Sequence, residues 1–72
     1  MTKDEIATVQ DYLRRKFRLD TISIEARPKK DDSAEVLIGD EFIGVIFKDD
    51  EDGEVSYQFQ MAILDVDLDG LD

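Results

Sequence analysis

Between Asp20 and Thr21 the spacing of the apolar residues changes, and few features limit the fold of a short chain more. Before that point Ile6, Val9, Leu13 and Phe17 recur at intervals of three, four and four, which places them on one stripe of a helix with Tyr12 on its flank. After it the period is two. In "TISIEAR" Ile22, Ile24 and Ala26 alternate with Ser23, Glu25 and Arg27, so an extended strand carries one apolar and one polar face. A helix followed only by strands is an α+β pattern.

The helix carries its own start signal. Thr2 stands three residues before Glu5, the spacing of a capping box, in which the hydroxyl accepts the Glu5 amide and the Glu5 carboxylate accepts that of Thr2. Met1 and Ile6 occupy the positions of a hydrophobic staple. Asp4 and Glu5 fall in the first turn and Arg14, Arg15, Lys16 and Arg18 in the last, each at the end the helix dipole favours. The pattern predicts a helix over residues 3–18.

Three turn signals divide the remainder: "PKKDD", "GD" and "DDEDG" separate "TISIEAR", "SAEVLI", "EFIGVIFK" and "EVSYQFQMAI". If each turn closes symmetrically, Ile22 pairs with Ile38, Ile24 with Val36 and Ala26 with Ala34. The second turn then pairs Val36 with Ile43 and Ala34 with Val45. The third pairs Ile43 with Phe59, Val45 with Tyr57 and Phe47 with Val55. All three registers put the alternating apolar residues on one face, and a one-residue slip at any turn destroys that agreement. The expected architecture is a two-layer α+β fold, an N-terminal helix packed on a four-stranded antiparallel β-meander. It forms a single domain over residues 1–64, followed by an acidic C-terminal tail over 65–72.

The same registers turn Leu37, Phe42 and Ile46 away from the helix, among Glu25, Arg27, Glu35, Lys48, Gln58 and Gln60. Isolated apolar side chains on a surface are ordinary, and the tail could cover these through Leu64, Val66 or Leu68. A contiguous patch instead marks a partner surface. Leu37, Phe42 and Ile46 are therefore the expected partner-binding residues, for another protein or for a second copy of the chain. The first and last strands of an open meander offer edges for strand addition.

Composition removes much chemistry. The chain has no Cys and no His, so thiolate and imidazole ligands and Ser–His or Cys nucleophiles lack their ordinary residues. Ser23, Ser33, Ser56, Thr8 and Thr21 have no base to activate them, Lys48 stands alone on a strand, and the acids lie in turns or the tail. One helix on one sheet is not expected to form a pocket. No enzymatic activity and no cofactor are expected. No apolar run reaches the ~18 residues of a membrane span and the charged N-terminus lacks the apolar core of a signal peptide, so the expectation is a cytoplasmic protein without membrane contact. At 72 residues a single core supplies only about 3 to 5 kcal/mol, which favours help from a partner chain.

The net charge of −10 is unevenly placed: residues 1–30 hold eight bases and five acids, residues 31–72 one base and fourteen acids. Such asymmetry permits head-to-tail contacts between copies and repels nucleic acid from most of the surface. Seven of the nine bases fall between Arg14 and Lys30. An antiparallel helix and strand would separate "RRKFR" from "RPKK" into two clusters, and Phe42 is the one exposed aromatic near them. Complement to the helix dipole and solvated surface account for the bases, and RNA contact stands last among the readings.

"LDVDLDGLD" contains Asp65, Asp67, Asp69 and Gly70, the D-x-D-x-D-G opening of a calcium loop. Such a loop needs a bidentate Glu at position 12. Counted from Asp65, this sequence reaches position 8 at Asp72. A strand pattern leads into the stretch where a helix would be needed, and Leu64, Val66 and Leu68 continue the alternation. The reading is a solvated tail or edge strand. Carboxylate-based binding of a divalent, calcium-like cation by Asp65, Asp67 and Asp69, helped by the acids of 49–52, is the alternative.

From "TKDEIATVQDYLRRKF" through "IGDEFIGVIFKDDEDGEVSYQFQMAILD" the chain resembles a family of short bacterial proteins, mainly alphaproteobacterial, that constitute a domain of unknown function. The resemblance implies a small cytoplasmic bacterial protein and carries over no activity, ligand or site residue.

Overall fold

The computed structural model describes residues 1–69; Gly70, Leu71 and Asp72 lie outside the described residues, as do the side chains of Lys30 and Asp31. Helix α1 (Lys3–Phe17) precedes strands β1 (Ile22–Arg27), β2 (Lys30–Ile38), β3 (Glu41–Asp49) and β4 (Ser56–Gln60) and a short helix, α2 (Asp65–Leu68). The strands form one antiparallel sheet in the order β1-β2-β3-β4. The expected architecture of one helix on a four-stranded meander is therefore present.

The capping box that sets the start of α1 forms as read. The Glu5 amide donates to the Thr2 hydroxyl at 3.1 Å, and the Thr2 amide donates to Glu5 Oε1 at 2.7 Å. At the other end Arg18 takes a left-handed conformation (φ 53°), and the Leu19 amide donates to the Arg14 carbonyl at 3.0 Å, which stops the helix. Val9 and Leu13 are buried against the sheet and Ile6 packs on the same cluster. Phe17, expected on the same stripe, is 54% exposed and lines a cavity beside the core with Leu13 and Ile22.

Between β1 and β2 the register is the expected one from Ile22 opposite Ile38 to Ala26 opposite Ala34, with a shift before Arg27. Between β2 and β3 it is right only at the hairpin end. Leu37 lies opposite Phe42 and Ile38 opposite Glu41, around a two-residue loop whose Gly39 has the positive φ (60°) that position requires. One residue further in, a β-bulge intervenes: Val36 lies opposite Gly44 and Ala34 opposite Ile46, leaving Ile43 as the extra residue.

The bulge inverts the parity of β3. Ile46 turns inward and is only 2% exposed, at the centre of a core with Val9, Leu13, Ile22, Ile24, Ala34 and Val36. The expectation that Ile46 faces outward is thus corrected, and with it the expectation that Val45 and Phe47 face the helix. Strand β4 must re-register by an odd number of residues if Tyr57 and Phe59 are to stay inside. It does so, with Phe59 opposite Ile46 and Tyr57 opposite Lys48. Both rings pack against the core cluster. The acidic connection after Asp49 absorbs the difference, and Val55, expected to pair with Phe47, lies outside β4 and is exposed.

Gly44, next to the bulge, is what lets β4 approach β3 so closely. A Cβ there would lie 2.8 Å from Phe59 Cε1 and closer still to the Gln60 carbonyl oxygen, so only a residue without a side chain lets β4 cross at this point.

A candidate docking face on the sheet

Alternation from the buried positions fixes what the outer face of the sheet displays. Ser23, Glu25, Glu35, Gln58 and Gln60 supply polar groups, while Leu37, Phe42, Val45 and Phe47 supply apolar ones. None of these four belongs to the core cluster or packs against it. Phe42 is 54% exposed, and Leu37, Val45 and Phe47 are half-buried by their neighbours in the sheet. Of the three residues expected to form a partner surface, Leu37 and Phe42 are where they were expected. Ile46 is not, and Val45 with Phe47 take its place.

The two edges of the sheet differ. Along β1, α1 reaches over the free edge: the Ile24 amide donates to Gln10 Oε1 at 2.9 Å, and Arg14 Nε donates to the Ile22 carbonyl at 2.7 Å. Gln10 and Arg14 are one turn apart, so a single face of the helix satisfies the strand's outward polar groups. Arg14 is thereby committed to the fold and adds little to a free basic patch.

At the opposite side the pairing of β3 with β4 ends at Val45 opposite Gln60. From Glu41 to Gly44, β3 is paired on its β2 side alone, because the chain after Gln60 leaves the sheet. The divergence opens a cleft of about 880 Å³. One bank is Phe42, Gly44, Val45 and Phe47; the other is Gln60, Met61, Ala62, Leu64 and Asp67. A second, wholly apolar cavity of about 260 Å³ lies between the end of α1 and the inner face, lined by Leu13, Phe17, Leu19 and Phe59 among others. Both depart from the expectation of no pocket. Among the described residues Glu41 and Asp67 are the only titratable groups lining either one.

The segment after Met61 does not continue the strand alternation. It closes one helical turn, in which the Leu64 amide donates to Asp67 Oδ2 at 3.1 Å. Asp65 and Asp67, two residues apart on that turn, point in different directions. Among the described residues no three acids gather as a metal ion requires; Gly70 of the calcium-loop pattern lies outside them. Nor does the segment seal the outer face, since every residue from 61 to 69 is exposed.

A polar cluster ties the other end of the molecule together, and the sequence reading missed it. Glu5 Oε2 accepts from Lys48 Nζ in an ion pair and from the Tyr57 hydroxyl at 3.1 Å, while Oε1 caps the helix. The Lys48 ammonium above all, then the Thr2 amide and the Tyr57 hydroxyl, hold the Glu5 carboxyl down at about 2. Lys48 is raised by the same bond to Glu5, and Tyr57 is raised by burial and then by Glu5. Lys48 was expected on the outer face. The bulge brings it inside, where it joins α1 to β3 and β4. It is a structural tie in which Lys48 and Tyr57 both bond to Glu5, and none of the three lines either of the two cavities above.

No helix among the described residues is long and apolar enough to cross a membrane. The family model described as a protein of unknown function, DUF3126, matches residues 5–67. No curated protein and no solved structure matches the chain.

Proposed function

The chain belongs to the DUF3126 family, whose description assigns no activity, and we propose that it is a non-catalytic protein-binding module that docks a protein through the outer face of its sheet. The observation that carries this reading is the uncovered apolar surface of Leu37, Phe42, Val45 and Phe47, on the face opposite α1. Covering such a face is favourable, since apolar burial yields about 25 cal/mol per Å² and a contiguous exposed apolar patch marks an interaction surface. The asymmetry of the edges supports the same side of the molecule: Gln10 and Arg14 bond to β1, while among the described residues β3 has no strand paired beyond it from Glu41 to Gly44.

A photoreactive phenylalanine analogue at Phe42 tests the reading in the native cell. The expected result is a covalent protein adduct from position 42 and none from the exposed Asp11 on the helix. Absence of any protein adduct from position 42, with the labelled chain folded, contradicts it.

A further inference from the structure

We infer that the partner on this face is a second copy of the chain, held in a two-fold dimer in which the segment 61–68 of each copy covers the outer-face cleft of the other. The inference rests on the docking reading above and adds the identity of the occupant.

Area is the first argument. The chain exposes 5876 Å², whereas a compact monomer of 8.3 kDa exposes about 4,600 Å². The excess of roughly 1,300 Å² surpasses the ~800 Å² that each partner buries in a stable interface. The radius of gyration of 13.4 Å exceeds the ~11 Å of a compact chain of this length in the same sense.

The second argument is where the excess lies. Among the described residues nine large apolar side chains are exposed against seven apolar residues in the core. Five of the nine, Met61, Ile63, Leu64, Val66 and Leu68, are in the segment beyond β4, and a sixth, Phe42, is on the cleft. A chain that leaves an apolar arm and an apolar cleft side by side, both uncovered, can satisfy both at once by pairing with itself. A two-fold axis does so without leaving an unpaired surface to propagate.

Charge discriminates this dimer from a head-to-tail one. Asp65, Asp67 and Glu41 lie at the same end of the molecule, so a two-fold pairing brings like charges together and association rests on apolar burial against repulsion. Salt then strengthens it. Contact between the basic N-terminal part of one copy and the acidic part of another would be weakened by salt.

Sedimentation equilibrium of the full chain, from about 1 to about 100 μM and at ionic strengths of about 0.05 and about 0.5 M, reads all of this. The expected result is a reversible dimer that tightens with salt and that Ile63→Asp weakens by at least ~100-fold. Val66→Asp is the second variant, and circular dichroism identifies which of the two is folded. A monomer throughout, a dimer loosened by salt, or a dimer indifferent to both variants overturns the inference. A monomer in solution together with a Phe42 adduct to a different protein in the cell removes the second copy and leaves the docking face. No adduct at all removes the face itself.

Discussion

The side chain of Gln10 accepts the backbone amide of Ile24 at 2.9 Å, so the helix closes the edge of β1 as well as covering its face. Edges left open in a small sheet recruit other strands, and this one is blocked by a residue that sequence periodicity treats as merely polar. Replacing Gln10 by Ala leaves a part-buried N–H unpaired and should cost about 1 to 2 kcal/mol in urea denaturation. Gln10→Glu, which keeps the acceptor, should recover most of that. A Gln10→Ala variant as stable as the parent would show that the bond is dispensable.

Glu5 makes stability depend on pH in a defined direction. Its folded value of about 2 lies below the ordinary carboxylate value, so its contribution is complete above that ordinary value and is lost as pH falls through it toward 2. Glu5→Gln loses the ion pair with Lys48 while retaining an oxygen for the Thr2 amide. Its melting temperature should lie below the parent's at neutral pH, and the two should converge between pH ~4.5 and ~2. Parallel curves across that window would contradict the assignment.

Gly44 admits no side chain without moving backbone. Gly44→Ala drives a methyl against the Gln60 carbonyl and the Phe59 ring, and the cost should be about 1 to 3 kcal/mol by denaturant titration. The same variant should disturb the amide resonances of Phe59 and Gln60 first. An unchanged midpoint would mean that β4 does not cross where the bulge places it.

The inward turn of Ile46 separates two neighbouring apolar positions energetically. Ile46→Ala removes atoms from the packed centre and should cost about 2 to 5 kcal/mol, whereas Phe42→Ala, on the open face, should cost less than about 1 kcal/mol in dilute solution. Equal costs would return β3 to the unbulged register.

The helix was legible because its signals are local: Thr2 and Glu5 cap it and Ile6, Val9 and Leu13 space its buried face. The order and antiparallel sense of the strands followed from turn residues, and the inward placement of Tyr57 and Phe59 from alternation. What the pattern hid was the parity of β3. In "EFIGVIFK" both Ile43–Val45–Phe47 and Phe42–Ile46 are apolar, so either face could be the buried one, and symmetric turns select the wrong one beyond Ile43. The available signal was Gly44, since an isolated glycine within a strand marks a bulge or a close approach of backbone. Reading it would have exchanged Ile46 for Val45 and Phe47 on the outer face of the sheet. It would also have brought Lys48 to Glu5. The tie of Gln10 to Ile24 spans two elements and leaves no mark in sequence spacing.

The outer face can be mapped directly by recording amide spectra of the isotopically labelled chain as its concentration rises through the micromolar range at moderate salt. The account predicts that Leu37, Phe42, Val45, Phe47 and the residues 61–68 shift or broaden together, while Thr8 and Asp11 on α1 stay fixed. Spectra that do not change with concentration, or changes centred on α1, would contradict it.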